Sequence, residues 1–284
     1  MSAAATTIGV LHPGRLGAAF AAQAAETKGR RVLWCPAGRS QATHERAHEA
    51  GLEPVDELGE LLDAAQVVLS ICPPAAAQHV ANQVAENRYR GLYVEANPTS
   101  PQRCERIAER LRTGGARVVD GAIFGPPPQP NVPAALYLAG EAIDTEAVAT
   151  LFDGTPVEVI KLEGEIGSAS ALKMAHASYQ KTIHVISAVA HALAAQHGVT
   201  KHLLTEAAHT THDALAEPER LVNVAASAWR WAPELHEIAD TLVANRLPAE
   251  FALDAATVLL RWHGDKDDRD LSLEAVLARL TDPA

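Results

Sequence analysis

Long apolar runs, paired cysteines, aromatic side chains and any surplus of positive charge are scarce or missing in this chain of 284 residues. No stretch approaches the roughly 18 to 20 uninterrupted apolar residues that a membrane-spanning helix needs, so no membrane association is expected. The N-terminal MSAAATT carries no basic segment followed by an apolar run. It reads as a short lead-in and not as a signal peptide, and a cytoplasmic location is expected. Cys35, Cys72 and Cys104 are odd in number and far apart, without the close pairs of zinc sites or redox motifs. Buried free thiols in a reducing compartment are expected. A formal net charge of -11 speaks against a polyanion partner, because nucleic-acid binding needs a basic face. The few local basic residues are left to bind something small. With aromatics at 4% and alanine abundant, the helices must pack through small side chains, above all in the C-terminal half.

What is present is a regular alternation. TIGVL, RRVLW, QVVLSI and GLYVEA are short β-rich runs, separated by helical stretches at Leu16 to Lys28, Ser40 to Ala50 and Ala75 to Glu86. Such alternation predicts a parallel sheet covered by helices. ARVVDGAIF, AALYLAG and PVEVIKL add strands, and the proline-rich GPPPQPN can only be a rigid loop. Beyond Gly164 the periodicity becomes helical: Ile166 to Gly198, Lys201 to Ala216, Pro218 to Trp229, Pro233 to Asn245, Pro248 to His263 and a last helix in SLEAVLARL. The expected fold class is an α/β Rossmann N-terminal domain over residues 1–163, followed by an all-α C-terminal domain over 164–284.

The segment IGVLHPGRLG follows the first strand and opens the first helix, the context of the G-x-G-x-x-G dinucleotide turn. His12, Gly14 and Gly17 occupy the three glycine positions. The two glycines that admit the pyrophosphate and close the helix onto the strand are kept. His12, Pro13, Gly14, Arg15, Leu16 and Gly17 are therefore expected to bind a dinucleotide, with the helix start facing its phosphates. After the second strand, VLWCPAGRSQ places no acid where a ribose diol would be held, while Arg39 and Ser40 lie just beyond. This favours NADP(H) over NAD(H), with both residues on the 2′-phosphate; a solvated loop arginine is the alternative. Cys72, Pro73 and Pro74 in SICPPAAA are expected to line the cofactor cleft by backbone shape. Asn97 in EANPTSP either reaches toward the nicotinamide or makes its own turn.

In GSASALKMAHASYQKT, Lys173 stands near the start of a helix of about 30 residues, some 45 Å long at ~1.5 Å per residue. A lysine in an apolar run either snorkels to solvent or, if buried, becomes an acid or base. Residues at helical spacing from it, His176, Gln180 and His184, share its side of the helix. In the C-terminal part, Trp229, Trp231, His236 and Glu237 form either a ligand wall or a packed helix junction. His209 and His212 lack the H-E-x-x-H arrangement and read as surface histidines; no metal is expected.

Taken in order, IGVLHPGRLG, GRSQATHERAHEAGL, VVLSICPPAAA, VVDGAIFG, GSASALKMAHASYQKT and WRWAPELHEIADTLVANRLP resemble the β-hydroxyacid dehydrogenase and 6-phosphogluconate dehydrogenase superfamily over nearly the whole chain. The resemblance implies a catalytic lysine at Lys173. The asparagine that follows it by four residues in the superfamily is here Ala177, and the carboxylate-binding serine is here Phe124. A phenylalanine cannot hold a carboxylate, so a more apolar ligand is implied. The implied activity is NADP-dependent hydride transfer to or from a carbonyl or hydroxyl group of a small molecule. On this reading Lys173 is expected to act as proton donor or acceptor with His176 or Tyr179 assisting, and Phe124, Gln180, Trp231 and His236 are the expected substrate contacts. Related enzymes of this architecture reduce imines, which makes C=N reduction the alternative. A cofactor-binding sensor without catalysis is the alternative of another class. A homodimer is also implied.

Overall fold

The computed structural model describes residues 6–26, 29–210 and 217–281. The first part alternates as β1 (Thr7–Leu11), α1 (Arg15–Ala25), β2 (Arg31–Trp34), α2 (Gln41–Glu49), β3 (Glu53–Pro54), α3 (Leu58–Ala64), β4 (Val67–Ser70) and α4 (Pro74–Glu86). It continues through β5 (Leu92–Glu95), α5 (Pro101–Gly114), β6 (Arg117–Phe124), β7 (Ala134–Ala139), α6 (Ala142–Ala149) and β8 (Val157–Lys161). The helices α7 (Ser168–Gln196), α8 (Thr200–Thr210), α9 (Arg220–Ala244), α10 (Glu250–Leu260) and α11 (Leu273–Ala278) follow. Two compact units result, the first ending at Lys173 and the second beginning at Met174, so α7 starts in one and continues in the other.

Among the described residues the strands form one sheet in the order β3-β2-β1-β4-β5-β6-β7-β8. The strands β1 to β6 pair in parallel in the Rossmann order, with the direction of winding reversing between β1 and β4. Their apolar runs are buried on both faces, as parallel strands require. Ile8, Val10, Val67, Leu69 and Val94 pack with Phe20 of α1 on one side. Val68, Tyr93 and Val118 pack with Val80, Ile107 and Leu111 of α4 and α5 on the other. The expectation of a parallel sheet fails at one place, because β7 runs antiparallel to β6. The proline-rich loop between them is too short for a crossover helix and simply turns the chain back.

The second unit is helical and packs through alanine. Ala225, Ala228, Ala232 and Ala239 of α9 meet Ala252, Ala255 and Ala256 of α10, with Leu221, Leu235, Leu259 and Trp262 filling the larger spaces. The break expected at Pro233 does not occur, since α9 runs through it. The missing amide leaves one carbonyl without its helical partner, and apolar burial on both sides of the proline outweighs that loss. Inside this unit Lys181 Nζ donates to Glu234 Oε1 at 2.7 Å, with both side chains nearly inaccessible. Glu234→Ala leaves a buried ammonium unpaired and is expected to lower the unfolding free energy by about 3 to 5 kcal/mol. Urea denaturation reads this, and a loss under about 1 kcal/mol would show that the pair behaves as a solvated one.

Candidate functional site

The dinucleotide turn sits where β1 ends beside β4, the point at which open α/β sheets bind ligands. His12 has φ 66°, the left-handed conformation for which the fingerprint uses its first glycine. Histidine tolerates this region better than β-branched or bulky residues, so the turn keeps its shape without the glycine. Gly14 N donates to His12 O at 2.7 Å and closes the turn. At Gly17 a Cβ would stand 2.7 Å from His12 O, so this glycine is required by the approach of α1 to the strand end. Nothing lies within 4 Å of a Cβ built on Gly14, which faces open space. α1 begins with no side-chain cap, leaving the amides of Arg15, Leu16 and Gly17 to a ligand or to solvent.

His12 is lowered from its ordinary value to about 4, first by burial and then by the charges of Arg39 and His79. It is neutral near pH 7. The Arg39 charge thus acts on the turn, and the Arg39 Nε is buried without a hydrogen-bond partner. Ser40 precedes α2 and pairs Oγ to Oγ1 with Thr43. Open space over Gly14 and an uncapped helix start fit the phosphates of a dinucleotide.

After β4, Pro73 and Pro74 form the rigid entry to α4, and the Cys72 amide donates to Asn97 Oδ1. The Cys72 thiol is pushed up to about 12 by burial and by Glu95, so its chemistry is quenched. Cys104 is also buried, whereas Cys35 is only partly so; all three are free. Asn97 Nδ2 donates to Ser70 Oγ at 3.0 Å and to Glu95 Oε1 at 2.7 Å, which commits the side chain to the strand ends. Both polar ends of the Asn97 side chain are thus taken up within the fold.

Next along the strand ends is β6. Lys173 Nζ donates to Ile123 O at 2.8 Å and lies 4.6 Å from the centre of the Phe124 ring. Phe124 in turn meets Tyr137 edge-on at 5.3 Å. Asp120, fully buried on the same strand, accepts at Oδ2 from Gly167 N (2.9 Å) and Ser170 N (3.0 Å) and at Oδ1 from Ser170 Oγ (2.8 Å).

Of the remaining expected residues, His176, Tyr179, Gln180, Trp231 and His236 belong to the second unit. His176, Tyr179, Gln180 and His236 are exposed; the Gln180 carbonyl lies 2.6 Å from His184 Nδ1. Trp231 is half-buried, with His184 against its edge and the Lys181 ammonium over its face at 5.0 Å. Trp229 carries Lys266 over its ring at 4.2 Å. His212 lies outside the described residues, among which no group of three His, Cys, Asp or Glu could hold a metal. No helix of the described residues is long and apolar enough to cross a membrane.

Sequence reasoning missed Asp120, Ser170 and Glu95. For the two acids the sign is a single charged residue interrupting each of the apolar runs VVDGAIF and LYVEA; nothing in the sequence marks Ser170 as the partner of Asp120.

A Rossmann unit with a dinucleotide turn, joined by a long lysine-bearing helix to a helical unit, defines the class of architecture. Comparison with known proteins is consistent with it. Residues 194–262 match the family described as Domain of unknown function (DUF1932). An uncharacterized 28.5 kDa protein of Methanothermus fervidus is 27% identical over 173 residues, 61% of this chain and 65% of that protein, so the match spans just under two thirds of its length. Among solved structures, the Mycobacterium tuberculosis 3-hydroxyisobutyrate dehydrogenase with L-serine has a TM-score of 0.74 at 18% identity, covering 98% of this chain and 99% of that one. The Myxococcus stipitatus imine reductase in complex with NADP+ has a TM-score of 0.56 at 18% identity, covering 98% and 100%. The resemblance carried by the sequence motifs holds at the level of fold: this is the two-part fold of the β-hydroxyacid dehydrogenases and imine reductases.

Glu95 and Asp120 are register partners on β5 and β6, both fully buried. Burial, with Asp120 adding to it, pushes the Glu95 carboxyl up to about 8, and its Oε2 has no partner. Because the folded value lies above the ordinary 4.5, the contribution of Glu95 to stability is present below pH 4.5 and is lost as pH rises through about 8. Glu95→Gln cannot ionise. Urea unfolding of both proteins is expected to show the variant gaining on the native chain between these pH values; a difference independent of pH would contradict this.

Proposed function

We propose that this protein is an NADP-dependent oxidoreductase that transfers a hydride between nicotinamide and a carbonyl or hydroxyl carbon of a small molecule, with Lys173 moving the matching proton. The observation that carries the reading is the Lys173 amine, held 2.8 Å from Ile123 O near the C-terminal end of β6. An amine there can give a proton to a substrate oxygen or take one back. Its donation to a carbonyl and its place over the Phe124 ring are both contacts to an ammonium. The edge-to-face pair of Phe124 and Tyr137 provides an apolar aromatic wall, which suits a substrate with an apolar portion beside the reacting carbon.

The cofactor reading is supported by the fit of the turn at His12, Pro13, Gly14, Arg15, Leu16 and Gly17, and by a fold relative that holds NADP+. Arg39, close enough to depress His12, favours the phosphorylated form of the cofactor. Ser40 at the uncapped start of α2 is its proposed companion on the 2′-phosphate. Bound NADP(H) supplies the hydride or accepts it. The chain binds and orients it, with Cys72, Pro73, Pro74 and the braced Asn97 shaping the floor of the cleft.

Residues 1–163 are the proposed cofactor domain, and 164–284 the substrate and dimerisation domain. In the latter, His176 and Tyr179 are proposed to assist proton transfer, and Gln180, Trp231 and His236 to contact substrate. A homodimer through α7 accords with Tyr179, Ile186 and Leu193, exposed at seven-residue spacing. A second reading, reduction of a C=N bond, is favoured by the aromatic Phe124 at the position that would otherwise grip a carboxylate, and by the imine reductase among the fold relatives.

Fluorescence titration of NADPH and NADH, combined with turnover on a panel of carbonyl compounds and imines, tests the reading. NADPH is expected to bind more tightly than NADH, and Arg39→Ala to weaken NADPH by roughly tenfold while leaving NADH nearly unchanged. Lys173→Met is expected to bind NADPH normally and lose turnover by about a hundredfold or more. Full turnover by this variant refutes the lysine's role, and a preference for NADH refutes the cofactor assignment. NADPH binding without turnover of any panel member would identify a sensor.

A further inference from the structure

Asp120 takes no part in the reaction proposed above, yet it is a carboxylate buried in the middle of a sheet strand. Burying such a group is costly unless it is fully hydrogen-bonded. Three of the bonds it accepts come from one place, the start of α7, at Gly167 N, Ser170 N and Ser170 Oγ, and the Cys104 thiol of α5 is a further donor to it. Two of these donors are backbone amides of a helix N-terminus, which have no intrahelical partner and lie at the positive end of the helix dipole. Gly167 reaches the carboxylate with φ 102°, a conformation suited to glycine.

The same strand and helix meet again three residues further along each. Ile123 follows Asp120 by three positions on β6, and its carbonyl accepts from Lys173, which follows Ser170 by three positions on α7. Residues three apart lie on one side of a helix, so the serine and the lysine both face β6. Two points of attachment on one strand fix both the height and the rotation of the first turns of α7.

We propose that Asp120 is the positioning residue for Lys173: by clasping Gly167 and Ser170 it sets the register of α7 against β6, and so the place of the lysine amine at the Ile123 carbonyl. This deepens the reading of Lys173 as the proton-transfer residue and rests on it for its functional meaning. Misplacement by about 1 Å costs on the order of a hundredfold in rate when geometry controls a reaction. A clasp remote from the reacting atoms therefore matters to turnover without touching cofactor or substrate.

The test compares Asp120→Asn, Ser170→Ala and Ser170→Thr with the native chain by two readouts. The first is the rate at which acetic anhydride acylates Lys173, measured by peptide mass spectrometry relative to Lys161 and Lys266 in the same sample. Loosening the clasp frees the amine, so Asp120→Asn is expected to raise the Lys173 rate by roughly fivefold or more, the factor of one lost hydrogen bond. Ser170→Ala should raise it less, and Ser170→Thr, which keeps the hydroxyl, should restore the native value. The second readout is kinetic, with kcat falling in the same order while NADPH affinity stays constant. If Asp120→Asn accelerates all lysines together it has unfolded, and Ser170→Ala against Ser170→Thr decides alone. A Lys173 rate that stays native or falls in the folded variants overturns the proposal. Loss of the lysine's catalytic role is recognised separately, by native turnover in Lys173→Met, and leaves the acylation result to judge the clasp.

Discussion

The hydrogen-bonded burial of Asp120 is the constraint on which the arrangement of the site depends. A charge placed between strands must find donors, and the donors nearest to hand are the unpaired amides at the beginning of α7. That requirement brings the long helix to the end of β6 and makes the strand that closes the parallel part of the sheet also the strand that meets Lys173. Glu95, its register neighbour, is pushed up to about 8, first by burial and further by the Asp120 carboxylate beside it.

The nucleotide turn solves a different problem. A parallel sheet that reverses its winding between β1 and β4 leaves a crevice at their ends, and the chain leaving β1 must bend sharply to enter α1. His12 takes the left-handed conformation usually left to glycine, and Gly17 keeps the helix against the carbonyl of His12. The result is a helix N-terminus open toward the crevice, with Arg39 near its rim. In the proposed function these two places, the turn and the end of β6, hold the two ends of one dinucleotide.

Much of this was legible in the residues. The alternation of β-rich runs with alanine-rich stretches foretold the Rossmann unit, and the helical periodicity beyond Gly164 foretold the second unit and the span of α7 to within two residues at each end. Less visible were α3, α5, α6 and the short β3. Pro101 at the first position of α5, with Ile107 and Leu111 on one face, was nevertheless a usable sign. The antiparallel β7 could not be read from its composition, because strand direction is set by the length of the connection and not by the strand. Pro233 misled for a related reason: its local cost is real, but packing on either side of it carries α9 through. At the candidate site, glycine spacing and an isolated lysine single out the turn after β1 and the first turns of α7. The partners Asp120, Ser170 and Ile123 are contacts across about 50 residues of sequence, and no local pattern encodes them.

The central claim is that the turn at Gly14 and the amine of Lys173 serve a single bound dinucleotide. A crystal structure of the protein grown with NADP+ tests it most directly. The account predicts the pyrophosphate over Gly14 at the start of α1, the 2′-phosphate at Arg39, and the nicotinamide at the ends of β4 to β6 with C4 facing the space beside Lys173. A dinucleotide bound elsewhere, or a nicotinamide directed away from Lys173, would contradict it.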